Sequence, residues 1–480
     1  MTQTNEELAL ESAQETSKPS GKSELLYGLT DKPPVGESIF VAFQHVLAAF
    51  VGIITPPLII CSSLGLDAAN TSYLISMSLF ASGICTFIQC KKIGPVGSGL
   101  LSLQGTSFAF LGPILGVGAV ALQGGRSPEQ ALALIFGVCF FGSFVEIILS
   151  RFLHLMGKII TPVVSGSVVM IIGLGLIKTG IISLAGGAAA LARNDGSFGS
   201  VQNLALGGTV LLLVVILTLS SNRFLRMGAI AIGLAVGYVI SLLLGIVDFS
   251  SLSQLPWIRI PIPFRYGMSF DWGAFLPFIL LYVLTAIETV GDLTATSAVS
   301  GEPVSGSVYV RRIKGGVLGD GVNSLIAAVL NTFPNTTFSQ NNGVIQMTGV
   351  GSRYVGFFVA GIFALLGLVP VVGGIFQALP QPVLGGATLV MFGSIAVAGL
   401  SIVASAGLDR RSMIIVAVSL GLGLGVVYAP ELFNGKPDLI KNLFGSAIST
   451  GGLTAILLSW LLPQSTKSAP ETIAEAEFEG

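Results

Sequence analysis

Charge is what this sequence has least of. Lys+Arg number 23 and Asp+Glu 24 among 480 residues, 10% in all, against roughly 25% in an ordinary globular domain. So few charges cannot cover the surfaces of the soluble domains that such a length allows. A soluble enzyme and a disordered scaffold are excluded on that ground. The formal net charge of -1 provides no field to attract an anionic polymer, which argues against a nucleic-acid binder. Cysteine is scarce as well. Cys61, Cys85, Cys90 and Cys139 lie in or beside apolar runs, lack metal-ligand or redox spacing, and read as small hydrophobes. No nucleotide-binding GxxxxGK[ST] occurs.

Hydrocarbon is what the sequence has in excess. Hydrophobic residues make up 52%, and mean hydropathy is +0.86. That composition reads as a polytopic membrane protein. With 62 Gly and 3 Trp it fits closely packed helices better than a barrel, whose strands would alternate polar and apolar residues. The polar ends, 1–36 and 464–480, read as solvated tails. The first lacks the basic start and apolar core of a signal peptide.

A spanning helix needs about 20 mostly apolar residues. That criterion predicts fourteen spans, near 38–62, 72–90, 97–118, 130–150, 159–178, 203–220, 227–247, 273–293, 315–332, 338–349, 354–372, 382–401, 411–428 and 445–463. The stretch 354–408 holds two of them, with a break expected near Gln381-Pro382. If the N-terminus is cytoplasmic, 16 of the 23 basic residues fall inside and 7 outside. This bias predicts that both termini face the cytoplasm.

The chain also resembles itself. PVVSGSVVMIIG at 162–173 matches PVLGGATLVMFG at 382–393 in Pro, Val and two Gly, and TSFAF at 106–110 matches TTFSQ at 336–340. The two matches occur in the same order at offsets of 220 and 230, so they predict two homologous halves of seven spans each. An odd number per half inverts the second half, as in many secondary transporters, which bind substrate where broken helices meet at the repeat interface. The segment from Asn331 to Gly343 is strongly polar inside a charge-free run. Pro334 interrupts any helix there. Such backbone is tolerated at membrane depth only beside protein or a water-filled cavity.

Intramembrane acids add to this picture, since they are costly and mark function. Glu288 and Asp292 lie four apart on one helix face, and Asp320 begins the span before the broken one. Glu146 lies five residues before Arg151, near a cytoplasmic helix end, and reads as structural. His45 sits mid-helix beside Gln44, while His154, between Arg151 and Lys158, reads as interfacial.

These residues resemble the nucleobase–ascorbate transporter (nucleobase:cation symporter-2) family. Gln340-Asn-Asn-Gly343 with Thr348-Gly349 fits its signature. Gln44-His45 resembles its first-helix pair, Ala286-Ile-Glu288 through Asp292 its eighth-helix motif, and Gly315 through Gly321 its ninth. The likeness covers about residues 25–465, and is greatest to bacterial xanthine permeases through SLQGTSF, PVLGGATLVMFG and RYVGF. It implies an all-α membrane fold of two inverted seven-span repeats, with short antiparallel strands in spans 3 and 10. Spans 1–4 (37–155) and 8–11 (270–372) would form a core domain, and spans 5–7 (156–250) and 12–14 (373–463) a gate.

The resemblance also implies roles. Glu288 would bind purine N–H groups and Gln340 a carbonyl and its neighbouring N–H. Phe108 would stack on the ring or offer backbone contacts. Ser107, Ser339, Asn341 and His45 would complete the site, and Glu288, Asp320 and Asp292 would couple protons. An amide and a carboxylate suit an oxopurine edge because one presents both donor and acceptor and the other accepts. No cofactor and no metal are implied, and no catalysis. The expected partners are a purine, protons, the bacterial inner-membrane bilayer and a second copy of the chain. Xanthine is the first expectation. Uric acid is an alternative because Ser107 is small, as are guanine and hypoxanthine. An anion transporter of the same seven-plus-seven architecture is the rival.

Overall fold

The computed structural model describes residues 25–153, 161–193, 195–248, 255–405 and 407–463. Residues 1–24 of the tail expected at 1–36, the tail expected at 464–480, and His154 lie outside the described residues.

Among the described residues, fifteen helices of eight residues or more build the fold. In the first half they are α1 (Val35–Leu64), α2 (Ala68–Lys91), α3 (Leu111–Gln123), α4 (Pro128–Leu149), α5 (Pro162–Leu184), α6 (Val201–Thr218) and α7 (Ala229–Leu243). In the second they are α8 (Trp272–Val299), α9 (Gly306–Val329), α10 (Gln340–Thr348), α11 (Arg353–Leu368), α12 (Pro370–Gln377), α13 (Gln381–Ser405), α14 (Arg410–Tyr428) and α15 (Ala447–Leu461). Shorter helices lie in the connections. Polar residues just outside the apolar runs start several helices. Asp67 accepts from Asn70 N at 2.7 Å, Asp271 from Ala274 N at 2.9 Å, and Ser127 forms a reciprocal box with Gln130 before Pro128. Each such cap contributes roughly 1 kcal/mol. Asp409 caps α14 through Ser412 N at 2.7 Å, and that backbone bond with the Ser412 hydroxyl holds its carboxyl below the usual range.

Eight described helices are long and apolar enough to cross a membrane, or nine if α11 and α12 count as one bent span. That is fewer than the fourteen spans expected. The difference has physical causes. The helices Phe108–Gln123, Ala229–Leu243 and Ala447–Leu461 are apolar but shorter. Helix α9 carries Arg311, Arg312, Lys314 and Asp320, and α10 has only 9 residues. The 75° bend between α11 and α12 falls at Pro370, which lacks the N–H a continuous helix needs. A second break, at 378–380, precedes α13. Leu212, Ile216, Val397, Leu400 and Leu422 are exposed, as side chains facing lipid should be.

The helices fall into two packing groups. One holds α1–α4 and α8–α12, the other α5–α7 and α13–α15. The most extensive contact joins α5 to α13, the helices that carry the matched PVVSG and PVLGG segments. They run antiparallel. A Cβ on Gly166 would meet Gly399 O at 2.7 Å, and one on Gly173 would meet Ala396 N at 2.4 Å. Small residues here let two backbones approach as bilayer packing favours.

In the first group, two three-residue strands replace helix. Strand β1 (Gln104–Thr106) pairs antiparallel with β2 (Asn335–Thr337), with Gln104 opposite Thr337 and Thr106 opposite Asn335. Ser107 N donates to Pro334 O at 2.8 Å and Phe338 N to Leu103 O at 3.0 Å, which extends the ladder at both ends. Each strand feeds a helix, α3 after a tight turn at Phe108–Phe110 and α10 directly. Gly105 is required by a close approach, since a Cβ there would lie 2.5 Å from the Phe338 ring.

Residues 25–33, expected as part of a solvated tail, are instead tied into the fold. Leu26 N donates to Gly349 O at 2.7 Å, Gly351 N to Tyr27 O at 2.9 Å and Arg353 N to Leu29 O at 3.1 Å. The link between α10 and α11 has backbone groups without helical partners, and this segment supplies them.

Candidate functional site

A cavity of about 740 Å³ opens where the two packing groups meet. Its size lies within the roughly 300–1,000 Å³ of small-molecule sites. One wall is Glu288, Asp292 and Thr294 of α8. The end of β2 and the start of α10 supply Thr337, Ser339, Gln340 and Asn342, and Phe108 closes the side near β1. The opposite wall is Ser165, Val169 and Ile172 of α5 with Ile395, Ser401 and Ile402 of α13. The matched strand segments meet at one side of the cavity, and the first PVVSG-type segment, with the part of α13 beyond its mate, makes the far wall.

The polar groups on this surface are arranged to leave some free. Asp292 Oδ2 accepts from Thr337 Oγ1 at 3.0 Å, and Thr296 Oγ1 donates to Asn342 Oδ1 at 2.7 Å. Both bonds pin β2 and α10 to α8. Glu288 is half-buried and its Oε2 has no protein partner. Gln340 and Ser339 are exposed to the cavity. Phe108 is buried and sits edge-to-face with Phe392 of α13, ring centroids 5.7 Å apart. No Lys or Arg is among the described lining residues. Such a surface can accept N–H donors, pair an amide with a carbonyl, and stack a flat ring.

Of the residues singled out from the sequence, Glu288, Asp292, Gln340, Ser339 and Phe108 line this cavity. Four others lie behind it. Ser107 is buried, and its hydroxyl accepts from Ala109 N at 3.3 Å, closing the turn before α3. Asn341 Nδ2 donates to Leu101 O, which fastens the start of α10 to the approach of β1. His45 is fully buried beside Asn341. Asp320 is fully buried behind the strands and accepts from Thr289 Oγ1.

Sequence reasoning passed over Thr337 and Asn342, and the Ser165 and Ser401 wall. Thr337 and Asn342 lie inside the polar segment that drew attention to Gln340, so the signal was present. Ser165 and Ser401 carry no signal among so many small residues. Glu146, expected near a helix end, is fully buried and lies against Asp320.

Comparison with known proteins agrees with these features. Residues 36–432 match a family described as "Permease family". Xanthine permease XanP of Escherichia coli (strain K12) is 50% identical over 442 residues, 92% of this chain and 95% of that protein. Xanthine permease XanQ of the same organism is 48% identical over 441 residues, 92% and 94% of the two chains. Among solved structures, the transmembrane domain of a cyanobacterium bicarbonate transporter, BicA, superposes with a TM-score of 0.58 at 14% identity, over 90% of this chain and 100% of that one. The murine anion transporter Slc26a9 in its inward-facing state gives 0.61 at 11% identity, over 95% and 74%. At such identities the likeness establishes the fold alone. The chain is a multi-pass membrane protein, and it belongs to this permease family, the nucleobase–ascorbate transporters that its motifs resemble.

Proposed function

We propose that the protein imports a purine nucleobase, xanthine first, by proton symport. The observation that carries this reading is the pairing of Glu288, with an unpartnered oxygen, and Gln340 in one cavity without a lining cation, in a chain half-identical to a xanthine permease. Glu288 accepts the N–H groups of the ring. Gln340 offers its NH₂ to a ring carbonyl and its carbonyl to the adjacent N–H. Phe108 stacks on the heterocycle, with Phe392 fixing its plane. Ser339 adds a hydroxyl at the rim. Asn341, His45 and Ser107 hold the strands and the start of α10 in place. Asp292 and Asp320 exchange protons with Glu288 as the substrate comes and goes.

The eight long helices, the bent pair, the three shorter apolar helices, α9 and α10 would together make fourteen spans in two inverted halves. In this reading α1–α4 and α8–α12 move as a core (37–155, 270–377) against a gate of α5–α7 and α13–α15 (156–250, 378–463), so the boundary falls at the break before α13 and not at 372. Both termini face the cytoplasm, the membrane is the bacterial inner membrane, the assembly is a homodimer, and no covalent catalysis occurs.

An anion transporter of the same fold is opposed by the two acids on the cavity wall, since an anion would meet like charge there. Uric acid, guanine and hypoxanthine stay as alternatives to xanthine. Ser107, the basis for uric acid, is turned away from the cavity. The test is radiolabelled xanthine uptake by cells lacking their own purine permeases, with each unlabelled base as competitor. Uptake blocked by xanthine and by a protonophore supports the reading. Uptake that sulfate or bicarbonate suppresses, or that ignores every purine, sinks it.

A further inference from the structure

Glu146 lies in the last turn of α4, fully buried, where no lipid-facing or packing role asks for an acid. It points at α9. A Cβ on Gly321 would sit 2.9 Å from Ile147 N and 3.2 Å from Ser143 O, so the two helices touch backbone to backbone beside Asp320. The carboxyl of Glu146 lies against that of Asp320. Neither Glu146 oxygen nor Asp320 Oδ1 has a donor in bonding geometry, and Asp320 Oδ2 is taken by the Thr289 hydroxyl. Gln104 of β1 faces the same spot with both amide atoms unpartnered and fully buried. The other titratable groups that face the pair are Glu288, Asp292 and Tyr282 of α8 and Cys85 of α2, and none supplies a cation. Neutral donors reach only the Asp320 side, from Thr289, Gln104 and Thr336. Two buried carboxyl groups in contact without a cation between them need a proton in common.

We propose that Glu146 and Asp320 hold one proton between them and that this shared proton is the one the transporter moves with its substrate. The proton is bonded to one carboxyl oxygen and accepted by the other. It leaves as H⁺ to water, or to Glu288, only when the surroundings of the pair open. Glu146 acts through Asp320 and does not touch substrate. The proposal rests on the proton-symport reading above and deepens it, because it names where the proton resides.

Purified protein in proteoliposomes carries the test, read by xanthine counterflow and by accumulation under an imposed pH gradient. Glu146→Gln places a permanent N–H where the shared proton stood. Counterflow should stay within about twofold of wild type while gradient-driven accumulation falls more than about tenfold, with counterflow no longer responding to pH. A variant that accumulates as wild type with the same pH profile overturns the proposal and leaves proton symport intact. A wild type that transports xanthine but ignores the gradient removes symport and the proposal together. Glu146→Asp covers failure of the amide to insert. It should keep gradient-driven uptake with a displaced pH profile, and an undisplaced profile overturns the idea. If neither variant reaches the membrane, infrared difference spectra of Glu288→Gln protein decide. A buried protonated carboxyl group sensitive to ¹³C labelling of glutamate or aspartate supports the pair, and its absence refutes it.

Discussion

The two strand segments are repeat mates with the same backbone device and different cargo. TSFAF at 106–110 and TTFSQ at 336–340 each leave a three-residue strand and enter a helix. The first turns its polar residue inward, since Ser107 spends its hydroxyl on Ala109 N, and offers the cavity a phenyl ring. The second presents Ser339 and Gln340 to the cavity, then Asn342 within the first turn of α10. A duplicated scaffold has thus been given an apolar half and a hydrogen-bonding half. Hydrogen bonds to a buried ligand discriminate strongly because leaving them unmade costs more than making them gains. The second segment should therefore dominate recognition.

Substitutions can break that comparison, and they rank by expected effect. Glu288→Gln, on the helix facing the second segment, removes the charged acceptor and should lower xanthine uptake about 10–100-fold, the range of a lost charge-assisted bond. Gln340→Ala should follow, with kcat/KM down at least about tenfold and membrane abundance unchanged. Asn341→Ala strips the partner from a buried carbonyl, Leu101 O. It should cost about 1–3 kcal/mol of thermal stability, read as a lowered Tm in detergent. Phe108→Leu, in the first segment, loses the pair with Phe392 and should weaken xanthine affinity only about 2–10-fold. Ser107→Ala should stay within about threefold, since it removes one 3.3 Å cap bond. If the first-segment variants outweigh Gln340→Ala in uptake assays, the division of labour is wrong.

Much of this site was legible before any fold was known. Pro334 inside a polar stretch announced a broken helix because ring closure removes an N–H. Glu288 and Asp292 share a helix face by spacing alone, and both reach the cavity. The Pro-Val-Gly match foretold nothing about contact, yet the helices that carry its two copies pack on each other through Gly166 and Gly173. Other features had no such trace. Thr337 gave no separate signal, since its bond to Asp292 joins residues 45 positions apart. The shelter of residues 25–33 depended on a distant linker with backbone groups to satisfy.

Composition and order by themselves determined that this chain lives in a bilayer, that it is built twice over, and which helix is interrupted, because hydropathy, internal similarity and proline chemistry act locally along the chain. Depth was decided only by the tertiary structure. Counting from Arg151 places Glu146 near a surface, whereas the backbone contact between α4 and α9 seals it against Asp320. Burial of a side chain depends on what packs over it, and the residues that cover Glu146 lie far away in sequence.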